Sequence, residues 1–189
     1  MKKIFGYIKA IQLYALKYYL ILKHYPKISI EGKFILDKRC EFKLAKGSKL
    51  IIKGNLTLMG DVLIQTQKNA VISLGKHCVM NRFTTLIAHK GITLGDGVML
   101  GENVKIYDND HTIEGNKVLR REFSVEAVTI GDGCWIANNA VVLKGSSMGP
   151  NTVVGALSLV AGKLDADALY LGVPCRKMKK LEPLEDTQA

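Results

Sequence analysis

Aliphatic residues return at every sixth position late in the chain, at Ile130, Ile136, Val142, Met148, Val154 and Val160. A small residue often follows at once, as in Ile130-Gly131, Ile136-Ala137, Met148-Gly149, Val154-Gly155 and Val160-Ala161. A period of six fits neither the helical period of about 3.6 nor a plain strand alternation. It suits short parallel strands joined by tight corners and wound into a prism, three blocks to a triangular coil. The same step starts upstream at Ile30, Leu36 and Phe42 and runs through Ile52, Leu58, Ile64, Leu74, Met80, Leu86, Leu94, Leu100 and Ile106. The first members of these triples lie 22, 22 and 20 residues apart, which leaves a few extra residues at one corner of each coil. The pattern therefore predicts an all-β solenoid of about six stacked coils, with each aliphatic residue buried against those above and below it. The small residues after the aliphatic ones are expected to supply positive φ at the corners, which Gly adopts without steric cost.

The repeat breaks once. Ile130 comes 24 positions after Ile106 where six would continue the pattern, so 18 are inserted, beginning at the strand end Tyr107-Asp-Asn-Asp-His111 and placed as a loop over 112–129. Long excursions from a rigid scaffold are usually functional. Ahead of the solenoid, residues 1–24 contain no Pro and one Gly. At 100° per residue Ile4, Ile8, Ile11, Ala15, Tyr18 and Leu22 share a face free of lysine, which predicts an amphipathic helix. Pro26 stops it, because proline forces the preceding residue away from helical geometry. The organisation read from the chain is an N-terminal helix over 1–25, a solenoid over 26–168 and a C-terminal segment over 169–189.

Composition adds location and partners to this frame. Of 189 residues 48% are hydrophobic, enough for one well-cored domain with an appendage. The formal net charge is +10, yet Met1 to Ile30 holds Lys2, Lys3, Lys9, Lys17, Lys23 and Lys27 and no acidic residue, so the basicity is concentrated at one end. That favours an anionic surface near the N-terminus over nucleic acid, for which there is no zinc-finger spacing and no aromatic-rich RNA-binding signature. The helix lacks a small-residue cleavage site, and Lys9 and Lys17 make it a poor membrane span. It either packs on the prism or lies on a membrane surface. Cys40, Cys78, Cys134 and Cys175 are widely separated with no CxxC pair, as expected of reduced thiols in a cytoplasmic protein, peripheral at the inner membrane face if the helix binds lipid.

The repeat with Ile130-Gly-Asp-Gly-Cys-Trp-Ile-Ala, the later Val154-Gly-Ala and the ending Gly172-Val-Pro-Cys-Arg176 resembles the hexapeptide-repeat acyltransferases. The likeness covers roughly residues 30–180. It is to the galactoside, maltose and xenobiotic acetyltransferase branch and its polysaccharide O-acetyltransferase relatives. The resemblance implies a left-handed parallel β-helix, a homotrimer with acetyl-coenzyme A bound between neighbouring subunits, and no metal. Handedness comes from the resemblance alone, since the usual rule for parallel crossovers favours the right hand.

Acetyl transfer to a hydroxyl requires a base, donors for the developing oxyanion and a pocket that holds both substrates. Imidazole, ordinarily titrating near about 6.5, is mostly neutral near pH 7 and suits the base. The resemblance places the catalytic histidine at His111. Asp108 and Asp110 are the candidates for fixing its tautomer; Asp110 is adjacent in a strand and would face away unless the chain turns there. His24, at the helix end, His77, at a corner, and His89, about one coil before His111, gain no such role. Relatives carry an Asn in the segment matching Met80-Asn81-Arg82-Phe83 that holds the acceptor hydroxyl; Asn81 is present, but the aligned position is Phe83. The resemblance makes Trp135 a wall of the acceptor or coenzyme pocket. A Thr-Lys pair of relatives falls at Ala161-Gly162, with Lys163 displaced by one. Coenzyme binding is therefore assigned to Trp135, Asn138, Ala156 and Lys163, with Arg176 and Lys177, and also Lys179 and Lys180, available to its 3′-phosphate.

The expectation is an acetyl-coenzyme A-dependent O-acetyltransferase acting on a sugar hydroxyl of a cell-surface polysaccharide or glycan precursor. The rivals are an N-acetyltransferase on an amino sugar or other amine, a non-catalytic assembly module, and a carbonic-anhydrase-like metalloprotein. The last needs three convergent histidines, including a short HxxxxH spacing, and His77, His89 and His111 lie 12 and 22 residues apart.

Overall fold

The computed structural model describes residues 15–37 and 39–183. Three sheets of short strands form the faces of a prism. The first stacks Ile28–Ile30, Lys49–Ile52, Val71–Leu74, Gly91–Leu94, Val128–Ile130, Ser147–Met148 and Lys163–Leu164. The second stacks Phe34–Leu36, Leu56–Leu58, Cys78–Met80, Met99–Leu100, Trp135–Ile136, Val153–Val154 and Ala168–Gly172, and the third Glu41–Leu44, Leu63–Thr66, Thr85–Ala88, Lys105–Tyr107, Val141–Val142 and Leu159–Val160. Neighbouring strands within each of these stacks are parallel. The predicted register holds throughout: Ile30, Ile52, Leu74, Leu94, Ile130 and Met148 pair in one column, Leu36, Leu58, Met80, Leu100, Ile136 and Val154 in a second, and Phe42, Ile64, Leu86, Ile106, Val142 and Val160 in a third. Almost all of these side chains are buried, because consecutive coils place like on like at strand spacing and exclude water from the prism interior. Phe42, in the first coil, is only partly buried. Leu164 and Tyr170 begin a seventh layer, so the solenoid runs past the boundary expected at 168.

The corners correct one expectation. The glycines that directly follow the aliphatic residues do not carry the positive φ; that falls three residues after the aliphatic one, at Phe83, Gly97, Asn103, Gly133, Asn139, Asn151 and Leu157 among others. Gly131 is small for a different reason. A Cβ there would lie 2.7 Å from the Pro150 nitrogen and 2.9 Å from the Gly149 carbonyl carbon, so a side chain would collide with the next coil. Asx side chains tie the corners together: Asp132 Oδ1 accepts the Asp96 amide at 2.8 Å, and Asn138 Oδ1 accepts the Glu102 amide at 2.9 Å.

The insertion is a two-stranded antiparallel hairpin, Asn109–Glu114 with Lys117–Val125, rather than a loop over 112–129. The last solenoid strand is prolonged by a second antiparallel excursion, Cys175–Lys180, folded back on Ala168–Gly172. Residues 15–24 form a helix over the first coil, docked through Leu20 with Leu16 and Ile21. The remainder of the expected N-terminal helix, residues 1–14, lies outside the described residues, as do residues 184–189.

Candidate active site

Asp108 sits where the chain leaves the third sheet, and it roots the hairpin. Its side chain is fully buried. Oδ1 accepts the His89 amide at 2.7 Å, and Oδ2 accepts the amides of Lys90 and Gly91 at 2.7 and 2.6 Å. Its backbone carbonyl accepts the Glu126 amide at 2.9 Å, closing the base of the excursion. The carboxylate is thus committed to a corner of the preceding coil, which leaves it a structural anchor beneath the site rather than a partner for the imidazole.

His111 lies in the outgoing hairpin strand, directly across from Phe123. The imidazole is exposed, and its Nδ1 faces the Leu119 carbonyl oxygen at 3.4 Å. A carbonyl only accepts, so in the neutral ring this contact favours the proton on Nδ1 and leaves the lone pair on Nε2. The ladder slips by a bulge immediately after His111, breaking the strict alternation. Asp110 and His111 both border an open groove of about 610 Å³, together with Thr112, Ile113, Val118, Ser124 and Lys144. Asp110 Oδ2 is 3.7 Å from the Lys144 ammonium. The carboxylate therefore pairs with a lysine of the next coil.

Phe123 is the residue sequence reasoning missed. Its ring is 4.6 Å from that of His111 and 4.5 Å from that of His89, centroid to centroid, so it lies against both imidazoles. Partial burial pushes the His89 imidazole below its ordinary pKa, opposed by Asp108 and reinforced by His111. His89, set aside from the sequence, thus belongs to the wall behind the site. No spacing rule announces Phe123 or the Leu119 carbonyl, because their approach to His111 depends on the hairpin's antiparallel register.

The other predicted residues are spread over the prism. Lys163 begins the last first-sheet strand, on the same edge as the hairpin, and is exposed. Trp135 is on the outer side of the second sheet, 46% exposed, between Met99 and Val153 of the adjacent coils. Asn138 and Ala156 follow it at the edge between the second and third sheets, where the Asn138 carbonyl accepts the Leu157 amide at 3.0 Å. Asn81 and Phe83 occupy that same edge nearer the N-terminus; Phe83 is exposed, and its carbonyl accepts the Lys105 ammonium at 2.6 Å. One chain therefore carries His111, Asp110, Lys144 and Lys163 on one edge, and Asn81, Phe83, Asn138 and Ala156 on another. Arg176 and Lys177 lie in the terminal strand, with Lys177 paired to Asp165 at 3.0 Å. Among the described residues, no three His, Cys, Asp or Glu side chains gather in a way that could hold a metal ion.

The family model "Bacterial transferase hexapeptide (six repeats)" matches residues 127–162. Galactoside O-acetyltransferase of Escherichia coli K12 is 28% identical over 110 residues, covering 58% of this chain and 54% of that protein. The putative lipopolysaccharide biosynthesis O-acetyl transferase WbbJ of the same organism is 27% identical over 119 residues, covering 58% of this chain and 61% of that protein. The chain thus spans little more than half the length of these curated relatives. In shape it is similar to a variant of AntD, an N-acyltransferase from Bacillus cereus solved with dTDP-4-amino-4,6-dideoxyglucose and coenzyme A, at a TM-score of 0.71 and 17% identity over 83% of this chain and 84% of that one. Residues 127–162, which match that repeat model, lie within the solenoid described above.

Proposed function

We propose that the protein is an acetyl-coenzyme A-dependent O-acetyltransferase that acetylates a sugar hydroxyl, with His111 as the general base. The observation that carries this reading is the imidazole itself: its Nδ1 faces the Leu119 carbonyl, Phe123 lies against the ring, and the residue borders a groove. Nε2 takes the proton of the acceptor hydroxyl as its oxygen attacks the thioester carbonyl. The tetrahedral adduct then collapses, the carbon–sulfur bond breaks, and the imidazolium returns the proton to the departing thiolate. No acyl-enzyme forms. The likeness to galactoside O-acetyltransferase and to the lipopolysaccharide biosynthesis O-acetyl transferase WbbJ supports a sugar acceptor, in a polysaccharide or a glycan precursor.

The separation of the two residue sets on different edges motivates a homotrimer. In it, the His111 edge of one subunit faces Trp135, Asn138 and Ala156 of the next, with acetyl-coenzyme A between them and Lys163 or Arg176 near its phosphates. Screening sugars and amines with acetyl-coenzyme A, while following thiol release, tests the activity. Turnover with sugar hydroxyls is expected, and transfer to amines alone would replace the O-acetyl reading. His111→Ala should keep the oligomer and lose about 10²-fold or more in kcat; near-wild-type turnover would remove His111 from the mechanism.

A further inference from the structure

The helix over 15–24 has two apolar sides, and the solenoid uses only one of them. Leu20 is buried, with Leu16 and Ile21 beside it against the first coil. On the opposite side Ala15, Tyr18, Tyr19 and Leu22 fall within an arc of about 100°. Tyr18, Tyr19 and Leu22 are 59%, 55% and 78% exposed, and Tyr25, just past the helix, is 75% exposed. Ala15, Tyr18 and Leu22 are the described members of the lysine-free stripe that the sequence assembles with Ile4, Ile8 and Ile11. These described members of the stripe are therefore turned to solvent. A contiguous apolar stripe left in water marks an interaction surface.

Charge identifies the partner. Lys17 Nζ donates to the Gly32 carbonyl at 2.8 Å, Lys27 Nζ donates to the Leu44 carbonyl at 2.9 Å, and Lys23 Nζ lies 5.7 Å from the centre of the Tyr19 ring. Among the described residues no carboxylate forms an ion pair with any of these three ammonium groups. Nor does Met1 to Ile30 hold a single Asp or Glu. Tyrosines combine an apolar body with a polar tip and suit the boundary between headgroups and acyl chains, while uncompensated lysines suit anionic headgroups. A second copy of the same face would set like charge against like. Among the described residues no helix is long and apolar enough to cross a membrane, so this one would lie along the surface.

We propose that this helix docks the protein on an anionic lipid surface, with Tyr18, Tyr19, Leu22 and Tyr25 in the interfacial layer and the exposed Lys23 ammonium beside Tyr19 against the headgroups. The inference is independent of the acetyl-transfer reading. The test is co-sedimentation of the full chain with vesicles of phosphatidylcholine alone or mixed with phosphatidylglycerol, at low and high salt. Binding to the mixed vesicles is expected, weakening as salt rises. Leu22→Asp and Tyr18→Ser should each lower that binding by about tenfold, as loss of one buried apolar side chain implies. Their thermal melts should match the parent, since both side chains are exposed. Three results would overturn the proposal: unchanged binding by Leu22→Asp, binding that ignores phosphatidylglycerol, or self-association through this face that Leu22→Asp abolishes while vesicles recover nothing.

Discussion

Replacing Asp108 by Ala should cost folding stability before it costs chemistry. The buried carboxylate accepts three backbone amides at 2.6–2.7 Å, and the substitution leaves all three without an acceptor. An unsatisfied buried donor costs about 1–3 kcal/mol, so the three together set an upper bound of roughly 9 kcal/mol. The shortened side chain opens space at a corner that is only part-buried at these amides, and water entering there recovers much of the loss. Release of the carboxylate's own burial cost offsets more. A net loss of about 3–5 kcal/mol follows, which for a chain of this size lowers Tm by about 10 °C. Asp108→Asn should be nearly as damaging, because its NH₂ turns a donor toward an amide. Urea unfolding at fixed protein concentration is the assay, since an oligomer's midpoint moves with concentration. An Asp108→Ala protein that unfolds within about 1 kcal/mol of the parent, yet loses kcat, would refute this reasoning. It would return Asp108 to the imidazole.

Phe123→Ala removes the ring against which His111 rests, an aromatic contact of about 0.5–1.5 kcal/mol, so kcat should fall about threefold to tenfold with KM little changed. Phe123→Tyr should restore it, and a rise in KM of the same size with kcat unchanged would indicate a binding rather than a positioning role. Cys78 is almost fully buried, and burial pushes its thiol up to about 11. In native protein at mildly alkaline pH it should react with a disulfide reagent far more slowly than after denaturation, as counted by released chromophore, because the thiolate is the reactive form. Partial burial depresses the His89 imidazole, so the native state binds fewer protons there than the unfolded chain. That contribution is complete above the ordinary histidine pKa and is lost as pH falls through the lowered one; His89→Gln should flatten the decline in Tm over that acid window.

Much of the fold could be read before any coordinates. The triples from Ile30 to Val160 name the buried columns residue by residue, because a solenoid repeats one environment and each coil contacts only its neighbours. The insertion and its histidine were equally legible, as a break in an otherwise regular count. Less legible were the corners. Gly131 reads as a turn glycine, yet it is small because the next coil passes within contact distance. Asp108 and Asp110 both read as candidate partners for His111, Asp110 only if the chain turns, and they end in different places, one beneath the hairpin and one beside Lys144.

What the sequence determined by itself, then, is the periodic part: coil number, core residues, register and the place where the register stops. Those follow from local spacing, which the chain carries explicitly. The tertiary structure alone decided which groups meet across that spacing. Phe123 reaches His111 by antiparallel pairing, the Leu119 carbonyl comes to face His111 Nδ1, and Leu20, not Tyr18 or Leu22, faces the first coil. Each of these is a choice between surfaces of similar polarity, and only the packing of the whole chain separates them.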